Sequence, residues 1–263
     1  MWYPQPKENP QGNISTFLMF YDSLRLKFLL PEFHFRELLM ALSTIDHIVI
    51  GAANLEKATE KVEGLLKTKF STSGKHSLMA THNSLTRLQN HAYMEIIAID
   101  PSASFTKSRN REKRWFSLDS SKTKRRLSRG PQPLCWVVAV NNIEQTAANC
   151  GYEPGRIIEM SRGDFRWKLT VPDSGELSEG GVLPVLIEWP NAINPGKVMP
   201  ESGLILKQLL LSHPNPNSIE HVLSHLDVSG PIDIKLGKPA IQFSFETANG
   251  NNVLFSENCL SEV

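Results

Sequence analysis

The sequence predicts an α+β chain of tandem βαβββ units, and three observations carry that expectation. A β-branched run ending on glycine (IDHIVIG, 45–51) is followed by a capped, helically periodic segment and then by three more strand-like runs. The same order returns after residue 133, with little identity between the copies. The 263 residues, 40% hydrophobic and 21% charged, suffice for a large core of ordinary globular composition.

Residues 1–41 stand apart. MWYPQPKENPQGN is rich in Pro, Gly, Asn and Gln and reads as disordered. The aromatic and aliphatic run after it is broken by Asp22, Arg25, Lys27 and Pro31, too interrupted for a signal-peptide core. It reads either as an amphipathic helix or as sequence upstream of a true start at Met40, where MALSTIDHIVIGA begins.

The first unit spans 42–100. Asn54 is a helix N-cap, and Leu55, Ala58, Val62, Leu65 and Leu66 recur at helical spacing. Residues 70–73 read as a short strand and 74–77 (GKHS) as a loop. The stretch 81–100 (THNSLTRLQNHAYMEIIAID) reads as two strands around a Gln89-Asn90-His91 turn. The return strand, 93–99, is apolar except for Glu95. Desolvating a bare carboxylate costs several kcal/mol or more, so Glu95 needs a partner. Arg87 across the hairpin is the plain choice; a metal ion or a catalytic role is the other.

Residues 101–133 carry ten Lys or Arg against Glu112 and Asp119 and read as a basic linker. Trp115-Phe116 would anchor it and leave 122–129 mobile. No base-stacking motif accompanies the charge, so nucleic acid is not expected as a partner. In the second unit, 134–200, strands are expected at 134–140, 156–160, 165–171 and 182–189. A short helix capped by Asn141 or Asn142 runs through Asn149, and a turn falls at 162–164. Trp136 holds the place of His47, and Glu188 roughly that of Glu95. The tail, 201–263, repeats the theme in part: strands at 204–211, 232–236, 240–246 and 252–256, and a helix capped by Ser218.

The formal net charge of +1 gives no global field for nucleic acid or an anionic membrane, and no apolar run approaches the ~20 residues of a spanning helix. Cys135, Cys150 and Cys259 are too few and too scattered for a disulfide framework, which suits a reducing, cytoplasmic compartment. His221 and His225, one helical turn apart, have no third ligand nearby and read as a solvated face. Nucleophile-elbow, phosphate-loop and dinucleotide signatures are absent from the sequence.

The segments IDHIVIGAANLEKA, HSLMATHNSL, YMEIIAIDP, RWFSLD, EMSRGDFRWKLTVPD and GVLPVLIEWPN resemble the glyoxalase-like domain family of the vicinal oxygen chelate superfamily. The resemblance spans about 42–256. It implies paired units forming a curved, half-open mixed sheet with a cavity in the curve, and a third partial unit behind them. In metal-dependent relatives a first-strand His and a fourth-strand Glu hold a divalent cation, which places His47 and Glu95 as ligands of one Zn²⁺, Ni²⁺, Mn²⁺ or Fe²⁺. Two ligands are few, and His82, on the strand beside Glu95, is the candidate third. Glu188 and His82 are the base candidates. A one-position offset would turn Glu188 to the other face. His76, Asn83, Trp136, Arg166 and Trp167 are expected to line the cavity. The function implied is a small-molecule enzyme of lyase, isomerase or dioxygenase type, monomeric or homodimeric. The alternative is a metal-free binding protein in which Trp136, Trp167 and Trp189 matter more than His47.

Overall fold

A computed structural model of the chain describes residues 43–107 and 112–257, with the backbone of 259–262. The expectations for residues 1–41 lie outside the described residues.

In the first unit, β1 (Ser43–Gly51) leads into α1 (Leu55–Leu66), β2 (Thr72–His76), β3 (Thr81–Arg87) and β4 (Tyr93–Ile99). Asn54 accepts a hydrogen bond from the Lys57 backbone N–H and so caps α1. β4 lies parallel to β1, β3 antiparallel to β4, and β2 antiparallel to β3. The residues read as a loop, 74–76, are strand: GKH pairs with β3 through Asn83, His82 and Thr81. The strand expected at 70–73 thus lies at 72–76; a polar, glycine-containing edge strand lacks the β-branched pattern that marks the bounds of interior strands.

The second unit repeats this pairing with β5 (Gln132–Ala139), α3 (Ile143–Asn149), β6 (Arg156–Arg162), β7 (Phe165–Val171) and β8 (Val185–Glu188). Again the last strand is parallel to the first and the others follow antiparallel. β1 and β5 run antiparallel and join the units into one sheet, ordered β2-β3-β4-β1-β5-β8-β7-β6. The linker is partly helical: α2 (Ser121–Leu127) is capped by the Ser120 hydroxyl and buries Thr123 and Leu127, where mobility was expected. Leu127 packs with Leu134 over Gly51, where a Cβ would lie 2.4 Å from a Leu134 methyl, so the first strand must end on glycine.

Strand alternation sorts the core into two faces. Ile48 and Ile50 of β1, Met94 and Ile96 of β4, Trp136 and Val138 of β5 and Leu186 of β8 share one buried cluster with α1. Val49, Ile97, Cys135, Val137, Val185 and Ile187 share the other, with Trp115, Phe116 and Trp167. The second cluster lines the concave side.

The tail forms its own sheet. A short helix α4 (Pro195–Val198) precedes β9 (Ile205–His213), α5 (Pro216–Leu226), β10 (Val228–Ser229), β11 (Ile232–Leu236), β12 (Ala240–Glu246), β13 (Asn252–Ser256) and β14 (Cys259–Glu262). Its strand order is β11-β9-β12-β13-β14, while β10 pairs with β1 in the first sheet. α5 starts at Pro216 behind Asn215, so Ser218 lies inside the first turn rather than capping it. Proline suits the first helical position because its missing N–H is not needed there. Phe243, Phe245 and Phe255 of this sheet pack in the same cluster as Trp136, against the convex side of the first.

Candidate functional site

Glu95 is buried on the concave face, opposite Leu85 of β3. Its partner is not Arg87, which instead bonds the Met199 carbonyl, His91 and Glu201. Arg87 is directly opposite Tyr93, two positions along β4 from Glu95, and reaches toward the chain end of the strand. Glu95 accepts a 2.6 Å hydrogen bond at Oε1 from Asn83 Nδ2, and its Oε2 faces His47 Nε2 across 3.6 Å. His47 in turn is held at Nδ1, 2.7 Å from Asp46 Oδ1, and its ring stacks on Tyr93 with centroids 4.5 Å apart. The short Nδ1 contact to a carboxylate fixes the proton on Nδ1 and leaves Nε2 for exchange with Glu95.

Asp46 is itself a hub. Trp189 Nε1 and Asn194 Nδ2 each donate to its Oδ2 at 2.9 Å, so the chain after β8 reaches back over β1. Burial pushes the Tyr93 hydroxyl well up, helped by Asp46, to which it is bonded, and by Glu95. Burial likewise pushes the Cys135 thiol up, with Glu95 adding to it, so it is an inert wall rather than a thiolate donor.

His76 stands at the end of β2, not on a loop. Its Nδ1 lies 3.1 Å from Thr81 Oγ1 and its Nε2 3.4 Å from Asn83 Nδ2. Because Asn83 Nδ2 is a donor, Nε2 accepts and the ring proton sits on Nδ1. Burial, and then the charge of Arg162, hold His76 down to about 3. Trp115 and Trp167 meet its ring edge-on, at 4.9 and 6.2 Å.

Asn83 Oδ1 accepts from Arg162 Nη1 at 3.1 Å, so one amide links a guanidinium of the second unit to the carboxylate of the first. Phe165 lies under that guanidinium at 5.9 Å, and Trp167 and Trp189 are in contact at 5.6 Å. Together these groups line a narrow cleft with about 30 Å³ of free space, open on one side, in which His47, Glu95, Asn83 and His76 lie among aromatic walls.

Of the residues expected at the site, His47, Glu95, His76, Asn83 and Trp167 come together here. Four do not. His82 pairs with Ala98, one position off the parity of Asn83 and Glu95, and faces the groove beside α1 with Glu56 and Glu60. Glu188 also takes the outer face, where it accepts the Ile143 N–H at the start of α3 and lies 3.7 Å from Lys168. Trp136 fills the convex core and donates to the Val182 carbonyl. Arg166 is exposed and bonds the carbonyls of Gly163 and Phe165 in its own turn. Arg162 and Asp46 are the residues the sequence reading passed over. Asp46 had a signal, an acid beside the first-strand histidine; Arg162 had none, since its place depends on how far the sheet curves.

Among the described residues no three His, Cys, Asp or Glu side chains stand close enough to hold one metal ion. His47 Nε2 and Glu95 Oε2 offer two donors, and catalytic metal sites commonly supply three. The second carboxylate oxygen is occupied by an amide, behind which stands the Arg162 cation. The donor set therefore does not fit a resident divalent metal.

An eight-strand path built from two identically paired βαβββ units, with an acid–imidazole cluster in its concave face, defines a vicinal oxygen chelate fold. Residues 45–226 match the family model described as "Glyoxalase-like domain", and the chain belongs to that family. Among solved structures it is similar to methylmalonyl-CoA epimerase from Mycobacterium tuberculosis, at 16% identity over 55% of this chain and 85% of that one, with a TM-score of 0.35. It is similar too to a variant of the Streptomyces coelicolor methylmalonyl-CoA epimerase in complex with 2-nitronate-propionyl-CoA, at 15% identity over 59% and 99%, with a TM-score of 0.39. A hypothetical protein from Bacillus halodurans matches at 12% identity over 56% and 93%, with a TM-score of 0.35. No curated protein matches the sequence. No described helix is long and apolar enough to cross a membrane.

Proposed function

We propose that this chain is a small-molecule enzyme of isomerase or lyase type that moves a proton at a carbon beside a carbonyl group. The observation that carries the reading is the buried Glu95 carboxyl, facing the Asp46-held His47 across 3.6 Å at the polar end of an aromatic pocket. Glu95 Oε2 takes the proton from carbon, and the electron pair moves onto the carbonyl oxygen as an enolate. His47 Nε2 then receives the proton from Glu95, Asp46 steadies the imidazolium that forms, and the imidazolium returns a proton to the enolate carbon as the carbonyl re-forms. Tryptophan and tyrosine walls hold a flat substrate and keep water from the enolate. Both units line the pocket within one chain, so the reading needs no second copy.

The test uses purified protein in D₂O with a panel of 2-oxoacids and dicarbonyls, followed by proton NMR. Deuterium should enter at the carbon next to the carbonyl for at least one compound. Glu95→Gln should abolish this, and His47→Gln should slow it by roughly 10²-fold or more, as for lost general acid–base groups. No exchange above the Glu95→Gln background would sink the proposal. It would leave the second reading, a sequestering protein, which the Trp167–Trp189 wall favours. Metal content belongs in the same experiment. Near-stoichiometric transition metal, lost in a His47→Ala/Glu95→Ala double variant, would replace the metal-free proton relay with Lewis-acid chemistry on that pair.

A further inference from the structure

The two ends of the eight-strand path are β2 and β6, and they come together where Gly74 meets Arg162. A Cβ at Gly74 would fall 2.2 Å from Arg162 Nη1 and 2.7 Å from Cζ, so any side chain at 74 would push the guanidinium from its place. From that seat it lines the pocket beside Asn83 and Phe165. A guanidinium has five N–H donors in a rigid fork. Among the described residues Arg162 places one on Asn83 Oδ1 and has no carboxylate within ion-pair distance. Glu95, the nearest acid of the network, is separated from it by the Asn83 amide.

We infer that Arg162 is the anchor for a carboxylate on the ligand, and that Gly74 is the positioning residue that lets it stand there. The ligand class is an aromatic or other flat acid: its carboxylate takes the free edge of the fork, and its body lies at the open mouth against the half-buried Phe165 and Trp189. The ligand carboxylate pairs directly with a cation that the network otherwise meets only through the Asn83 amide, Glu95 lying on the far side of that amide. The inference rests on the pocket being the ligand site, as the proposed function holds, but not on proton transfer.

The probes are phenylacetate and phenylacetamide, matched in shape and differing in charge, titrated by calorimetry with tryptophan fluorescence alongside. Phenylacetate should bind about tenfold tighter or better, as for a charge-assisted fork over a neutral pair. Arg162→Gln should reduce that ratio to near one. Because Arg162→Gln also removes a link between the sheet edges, Gly74→Ala is the second variant. It keeps the cation but displaces it, and circular dichroism checks its fold. The carboxylate-to-amide ratio should collapse in Gly74→Ala too, whereas a purely structural glycine would leave that ratio unchanged. Equal binding of the two probes by the parent protein, or an unaltered ratio in both folded variants, overturns the anchor. So does failure of phenylacetate to bind. The deuterium-exchange experiment is independent of all these outcomes, so the anchor and the proton-transfer reading fail separately.

Discussion

His76 is a histidine kept from its proton. Burial beside two tryptophans, and then the Arg162 charge, hold it down to about 3, against an ordinary 6.5. The unfolded chain therefore binds more protons than the folded one between those values. The sign follows: the contribution to stability is whole above pH 6.5 and is lost as pH falls toward 3. A shift of this size corresponds to several kcal/mol at its limit. Urea midpoints should drop steeply from pH 7 to pH 4, and His76→Gln should flatten that slope because glutamine has no proton to gain. Parallel slopes in the two proteins would show that another group sets the acid limit. The same scale explains what could be read in advance. Glu95 was legible because a carboxylate in an apolar strand demands an explanation within a few residues. Its true partner, Asn83, was legible as a lining residue but not as the donor, since Arg87 is the stronger partner by charge alone. Geometry decides otherwise: Asn83 shares the face of Glu95, and Arg87 has the Met199 carbonyl and Glu201 to bond.

At the scale of the element, parity governs. Side chains in a strand alternate, so one position separates a site residue from an outer-face residue. His82 and Asn83 are neighbours in sequence and lie on opposite faces of β3. Residue type marks His82 as the better acid–base group, and pairing register removes it. Glu188 follows the same rule, and its observed work is to receive the Ile143 N–H at the N-terminus of α3, where a carboxylate suits the helix dipole. Glu188→Gln should thus leave deuterium exchange unchanged and cost on the order of 1 kcal/mol in denaturant unfolding, the usual value of a cap. A loss of exchange with the fold intact would return Glu188 to the base candidates. The strands themselves were largely legible wherever β-branched residues recur. β2 was expected at 70–73 and lies at 72–76, because the reach of an edge strand such as TSGKH is set by its partner rather than by its own composition.

Over the whole molecule, the pocket opens among the core cluster of the concave face, and the larger cluster fills the opposite face of the same sheet. Trp136 anchors the convex side, where Phe243, Phe245 and Phe255 of the tail sheet join Ile48 and Ile50. A tail that packs this way is part of the fold of the units before it. Trp136→Ala should cost about 3–5 kcal/mol, as for large aromatic truncations in a core. Both sheets should still melt in a single transition, monitored by far-ultraviolet and near-ultraviolet circular dichroism together. Two separated transitions would mean that the tail folds alone. The tandem repeat was legible from strand order, but the division of labour within it was not. The first unit brings the acid and imidazole and the second brings Arg162 and the aromatic wall, a pairing that exists only once β1 and β5 join.

A sheet that curves without closing leaves two edge strands, each a row of unpaired backbone groups onto which a foreign strand can be added. Here the edges confront each other, and the charged end of Arg162 lies against the backbone of β2 at Gly74. The side chain that looks into the pocket thus also puts a charge beside the meeting edges, where charge opposes strand addition. Replacing it by a neutral residue should therefore lower solubility, a change that turbidity on concentration would register and an activity assay would not.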